Sequence, residues 1–334
     1  MAKERDLRLD FLKAVAMCLV VLGHLVLFAY HNDATRAPAP LAAAFSLLSI
    51  LDVPLFVFVS GYLAPVAPGA RWLGRRALQL LVPYVAWNAV IWAITDRTNP
   101  LGWLLNAAVW LDQKSNPVWF LYTLFVLSAL WVLLGRNRVV LVAVTAACAV
   151  MPLQSLPYFS MRYIVVLFPV FVAGRLVGER RFEPGPWVLV LAAALLAAKW
   201  SVPGANLLWW PPGWATSAAA AGGAPALWLS GALTALRLAL MLALIGSAMY
   251  LARGARWGAW LGALTLGIYA AHTLFTPTWV VGGGVVGLVA GYVVTMTAAI
   301  GVTLLLRRSR WGWFLFLGSG RPPWHTADPG HPAT

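Results

Sequence analysis

Apolar residues in this chain gather in long runs and do not alternate with polar ones. The runs are about twenty residues long and are separated by short junctions rich in charge, proline or glycine. A helix of about twenty residues, rising 1.5 Å per residue, crosses the roughly 30 Å hydrocarbon core of a bilayer. Strands of a membrane barrel would be about half as long and would alternate in polarity. The pattern therefore predicts an all-α, polytopic membrane protein with about ten transmembrane helices. They are placed at 9–30, 41–64, 77–95, 117–135, 139–153, 161–178, 186–203, 226–250, 259–281 and 285–306. The fifth run is short, and the start of the seventh is weakly marked.

Composition agrees with this reading. Of the 334 residues, 61% are hydrophobic and 10% charged, against roughly a quarter charged in soluble domains. Mean hydropathy is +0.79. The formal charge of +14 raises the question of nucleic acid, but the placement of the charge argues against it. Of the 24 Lys and Arg, 18 lie at the start, at every even-numbered junction and after the last span. Such regularity is what the positive-inside rule produces, and it predicts both termini in the cytoplasm of a cell (inner or plasma) membrane. The first run is long and has no small-residue cleavage pattern after it, so it is expected to be retained. Cys18 and Cys148 both fall within spans and imply no disulfide framework.

The junctions differ in character. Trp103 and Trp110, seven apart in the long 96–116 connection, lie on one face of an expected interfacial helix. NLLWWPPGW, within 201–225, resembles a lid-like loop; simple interfacial anchoring explains both segments as well. GGGVVG follows no strand, so it is not a dinucleotide turn. Gly283, Gly287 and Gly291, spaced by four, point instead to close helix packing. No repeat, soluble domain or metal-ligand spacing stands out.

Ionisable groups inside spans are costly and are therefore functional candidates. Lys13, His24, Asp52, Arg237 and His272 are those residues. Each has a structural reading: Lys13 can snorkel, His24 can be a neutral imidazole bonded to a carbonyl, and Asp52 can pair with Arg237. Taken together, Lys13 and His24 say more. Eleven residues make about three turns and about 16 Å, which puts a cation near the cytoplasm and a titratable base deeper on the same helix face. That suits an anionic cytosolic molecule whose reactive end reaches a general base. Arg71, Arg75 and Arg76 lie on the same side, where phosphates would bind, although topology alone also puts arginines there.

Lys13 and His24 also match the R/K-x10-H signature of the acyltransferase 3 family of membrane O-acyltransferases. PLFVFVSGYL (54–63), RRALQLLVPY (75–84), NPVWFLYTLFVL (116–127), FPVFVAGRL (168–176) and LGALTLGIYAAH (261–272) resemble later motifs of that family, in order. The opening RDLRLDFLK…VVLGH resembles its fucose 4-O-acetylase-like branch. The resemblance spans 5–306 and implies a membrane domain over 1–310, followed by a short cytoplasmic tail, 311–334, expected to be loosely ordered.

It further implies transfer of an acetyl or other short acyl group from acyl-CoA to a hydroxyl, with acetyl-CoA as donor substrate and no bound cofactor. The acceptor would be a carbohydrate or glycosylated metabolite. His24 carries over as catalytic base and Lys13 as its basic partner. Arg75 and Arg76, with Arg71 beside them, match the start of an RRxxR element tied to donor binding; Gln79 stands where its last arginine would be. Asp52, Asn116, Trp119, Tyr122 and His272 are the expected acceptor contacts, although an aromatic belt at the outer end of the fourth span explains Asn116, Trp119 and Tyr122 equally well. Two other readings stay open from the residues alone. One is a proton-coupled transporter with Asp52, His24 and Arg237 as relay; the other is a nonenzymatic membrane scaffold.

Overall fold

The computed structural model describes residues 6–30, 38–95, 99–102, 118–150, 161–180, 183–200, 224–253, 258–281 and 283–318. Among them there is no strand. The helices are α1 (Leu7–Ala29), α2 (Ala39–Leu63), α3 (Ala70–Thr95), α4 (Trp119–Leu134), α5 (Arg138–Val150), α6 (Met161–Arg180), α7 (Trp187–Trp200) and α8 (Ala224–Leu251). They are followed by α9 (Ala259–Gly262), α10 (Thr265–Ala271), two 3-10 turns (His272–Phe275 and Thr278–Val280), α11 (Gly284–Arg307) and α12 (Arg310–Leu317). Five helices are long and apolar enough to cross a membrane, and α4, α5 and α7 are shorter apolar helices. Pro54, Pro83 and Pro169 sit inside α2, α3 and α6, as membrane helices tolerate.

Lipid is as apolar as leucine, so helices in a bilayer associate by close fit and by polar side chains more than by apolar burial. The α2–α6 crossing shows the first of these. A β-carbon at Gly61 would collide with the Phe171 carbonyl, one at Gly174 with the Phe58 carbonyl, and one at Gly178 with the Tyr62 carbonyl. Polar ties close the end where the basic residues gather. Arg175 is buried and donates to the Ala64 carbonyl, while Trp131 Nε1 donates to Pro65 O at 3.0 Å. Arg8 and Arg253 both pair with Glu183, joining the ends of α1 and α8 to the start of α7. The expected packing role of the four-spaced glycines holds best at Gly291, which faces Val280 and Leu25.

Three sequence expectations change. The ninth span, placed at 259–281, is not one helix but α9, α10 and the two 3-10 turns. Gly258 enters α9 with φ 75°, and Gly262 lies against the Asp10 carbonyl of α1, where any side chain would collide. The segment is thus shaped around α1 rather than run straight through. The third span begins at Ala70, not 77, so Arg71, Arg75 and Arg76 are helical. The tail from 311 starts as helix α12 in place of a loose segment. Ser309 caps it, Gly318 ends it in the left-handed conformation, and Trp87 Nε1 donates to its Phe316 O at 3.0 Å. The Trp103–Trp110 connection and the NLLWWPPGW loop lie outside the described residues.

Candidate active site

The face of α1 that carries Lys13 and His24 follows the interrupted segment along its length. Lys13 lines a cavity with Leu264, Thr265, Thr303, Arg307 and Trp313, at the α9–α10 turn. The volume of this cavity is about 360 Å³. Eleven residues deeper, His24 meets His272, the first residue after α10. The two candidates thus share one face, as the helical spacing predicts, and the interrupted segment packs along it.

Lys13 is not a lone cation. Its Nζ lies 2.6 Å from Asp10 Oδ1, one turn earlier on α1. The Asp10 side chain is only 6% exposed and that of Lys13 is 25% exposed, so the ammonium holds a nearly buried carboxylate and still reaches open space. Asp10 also lines a second cavity of about 950 Å³, together with Arg8, Tyr62, Arg175, Glu179 and Arg253. The Asp10–Lys13 pair therefore stands between two cavities at the basic end of the bundle.

The histidines touch directly. His24 Nδ1 is 3.2 Å from His272 Nε2 and 3.0 Å from the Val20 carbonyl one turn back. The ring centroids are 4.9 Å apart and the planes tilt by 57°. His272 Nδ1 lies 2.6 Å from Tyr269 O and 3.2 Å from Ile268 O. This arrangement follows from the break in the span. At a helix end the last carbonyls lose their partner amides, and α10 ends at Ala271. His272 is fully buried, whereas His24 as a residue is half-buried. His272, expected among the acceptor contacts, thus lies behind His24 and does not line a surface.

The other expected residues fall as follows. Asp52 lies beside α1: its Oδ1 accepts from Val53 N–H at 2.6 Å, and its Oδ2 approaches Gly23, the neighbour of His24. It does not pair with Arg237, which lines a small cavity with Cys148, Pro169 and Thr234 among α5, α6 and α8. Trp119 stacks on Tyr163 with centroids 4.0 Å apart, and Tyr122 packs against Tyr84. Asn116 lies outside the described residues. Arg71 and Arg75, four apart on α3, are exposed. Arg76 points inward beside Trp72, meets Gln79 Oε1 at 3.5 Å, and has a buried Nε without a protein partner.

Two residues of this region escaped the sequence reading. Asp10 was visible as an acid three positions before Lys13, a helical pairing distance. Tyr269 had no such signal. Its hydroxyl accepts from Phe120 N–H at 3.2 Å and ties the start of α4 to the segment bearing His272.

A helical bundle of this apolarity, with a histidine pair in its interior and an ion-paired lysine further along the same face of α1, is a multi-pass membrane protein. The chain belongs to the acyltransferase 3 family, whose model, described as an acyltransferase domain, matches residues 6–308. It is similar to the nodulation protein NolL of Sinorhizobium fredii, with 30% identity over 217 residues, or 60% of this chain and 56% of that protein. It is also similar to the nodulation protein NolL of Mesorhizobium japonicum, with 29% identity over 129 residues, or 37% of this chain and 34% of that protein. The chain thus spans about half the length of the first relative and a third of the second. No solved structure matches it.

Proposed function

We propose that this protein is a membrane O-acyltransferase that moves an acetyl or other short acyl group from acyl-CoA to a hydroxyl of a carbohydrate or glycosylated metabolite, with His24 as general base. The observation that carries the reading is the position of His24. It is a half-buried histidine deep on the α1 face whose other end holds Lys13 at a cavity. The family supports the reaction class.

In the proposed reaction the acceptor hydroxyl gives its proton to His24 as its oxygen attacks the thioester carbonyl. The C–S bond then breaks, and the proton passes from His24 to the departing sulfur, giving an ester and CoA thiol. General-base help of this kind contributes roughly 10²–10⁴-fold. Donor phosphates bind at the basic end. Arg71 and Arg75 are exposed there, and the unpartnered Nε of Arg76 suits an anion. Trp119 and Tyr122, near the start of α4, remain the proposed acceptor contacts, with Asp52 beside the base. We place the protein in the cell membrane with both termini cytoplasmic, on the placement of its basic residues. The transporter relay has little support, since Asp52 and Arg237 serve different neighbours.

The test is His24→Ala, assayed as CoA-thiol release from acetyl-CoA by protein-bearing membranes and normalised to folded protein. Release should vanish at normal membrane abundance. Turnover near wild type would refute the assignment.

A further inference from the structure

We infer that His272 is a positioning residue: it fixes the ring of His24 with its proton on Nδ1 and stabilises the charge that His24 gains when it takes a proton. The inference rests on the proposal that His24 is the base. It starts from hydrogen-bond arithmetic at two adjacent imidazoles.

A backbone carbonyl only accepts hydrogen bonds. His272 Nδ1 faces two of them, Tyr269 O at 2.6 Å and Ile268 O at 3.2 Å, so the proton of His272 sits on Nδ1. A neutral imidazole carries one proton, so His272 Nε2 is left as an acceptor. His24 Nδ1 faces that nitrogen at 3.2 Å and the Val20 carbonyl at 3.0 Å, both acceptors, and must therefore carry its own proton. His24 Nε2 then bears the free lone pair. It has no protein partner among the described residues. Moving both protons to Nε2 would keep a bond between the rings but turn both bare Nδ1 atoms toward carbonyl oxygens, Tyr269 O and Ile268 O for His272 and Val20 O for His24. A doubly protonated His272 would set its Nε2–H against the Nδ1–H of His24 at 3.2 Å.

Val20 alone would set the tautomer of His24 but not hold its ring, since the carbonyl lies on the same helix as the side chain. His272 comes from another element and is fully buried. When the acceptor hydroxyl gives its proton to Nε2, His24 becomes a cation. Its Nδ1–H then donates to His272 Nε2 as a charge-assisted bond, about twice as strong as a neutral one. That gain exists only as the proton moves, so it belongs to kcat and not to donor binding. The logic is that of a catalytic histidine oriented by a third group, with a neutral imidazole in place of a carboxylate. It also gives a purpose to the interruption after α10, which frees the Tyr269 carbonyl to lock His272.

The experiment uses the full chain in lipid nanodiscs with 15N-labelled histidine, the His24 and His272 signals being assigned by single substitutions. The ring-nitrogen shifts should show both histidines neutral and protonated on Nδ1. A wild-type His24 or His272 protonated on Nε2 overturns the inference. This readout needs no turnover, so it separates failure here from failure of the base assignment, which His24→Ala tests. For CoA-thiol release from acetyl-CoA, His272→Gln keeps an acceptor near the position of Nε2 and should retain kcat within about threefold. His272→Met fills the space without a strong acceptor and should lose about tenfold or more in kcat with unchanged KM. Equal rates for the two variants, or a loss confined to KM, overturn the inference. If His272→Met does not fold, the wild-type spectrum and the Gln variant still decide.

Discussion

Lys13 shows how one contact changes what a residue does. As a cation at a span entrance it can serve by snorkelling alone. As the partner of Asp10 at 2.6 Å it also keeps a nearly buried carboxylate neutralised. Lys13→Ala should therefore lower both stability and turnover. The stability loss should be roughly 1–3 kcal/mol, less than the ~3–5 of a fully buried pair, because a quarter of the lysine side chain is exposed to screening solvent. Lys13→Arg should retain most activity. The double change Lys13→Ala with Asp10→Ala should recover melting temperature without recovering thiol release. Recovery of both would reduce the lysine to a structural counter-ion. Arg76 is a second residue-scale case: its buried Nε has no protein partner, and Arg76→Ala should weaken CoA binding in calorimetry. Unchanged affinity in Arg75→Ala, Arg76→Ala and the double variant would remove this donor site.

At the scale of elements, two devices shape the bundle. One is the tight α2–α6 crossing, where glycines admit the partner backbone at Gly61, Gly174 and Gly178. Gly174→Val should cost at least about 2–3 kcal/mol through overpacking against the Phe58 carbonyl. Gly301→Ala on α11 meets nothing within 4 Å and should leave the thermal midpoint in nanodiscs nearly unchanged. Equal melting of the two variants would mean that the crossing is not tight. The other device is the interrupted ninth segment. A straight helix there would keep the Tyr269 carbonyl in its own ladder; the break turns that carbonyl toward a side chain. Discontinuous helices lining polar sites are a recurrent solution in membranes, where irregular backbone survives only when buried in protein or facing a cavity.

At the scale of the whole molecule, Lys13 stands at a cavity near one end of α1 and the histidine pair sits deeper, so the proposed donor and base sites are separated along that helix. Two cavities of about 950 and 360 Å³ open at the basic end on either side of the Asp10–Lys13 pair. Under the proposed reaction that arrangement makes topology a functional matter, since an acyl-CoA donor would be cytosolic. A reporter active only outside the cytoplasm, fused after Thr334, should give no signal. A strong signal would put the basic end on the wrong side for the donor.

The run lengths of apolar residues determined the helical, multi-span class, because backbone polar groups in lipid must be satisfied within each helix. Spacing on a single helix determined that Lys13 and His24 share a face, since that relation needs only the 3.6-residue turn. Ordered motifs carried the family. Only the tertiary structure decided which ionisable groups meet. His24 and His272 are 248 positions apart, and nothing in either neighbourhood states a register between α1 and the end of α10. The pairing of Asp52 with Arg237 looked reasonable on charge alone, yet packing sends the two to different neighbours. The broken ninth span was hidden for the same reason. Its apolar run reads as one helix; Pro277 is a local breaker near its end, but the close approach of Gly262 to α1 is a contact between segments that no local pattern encodes.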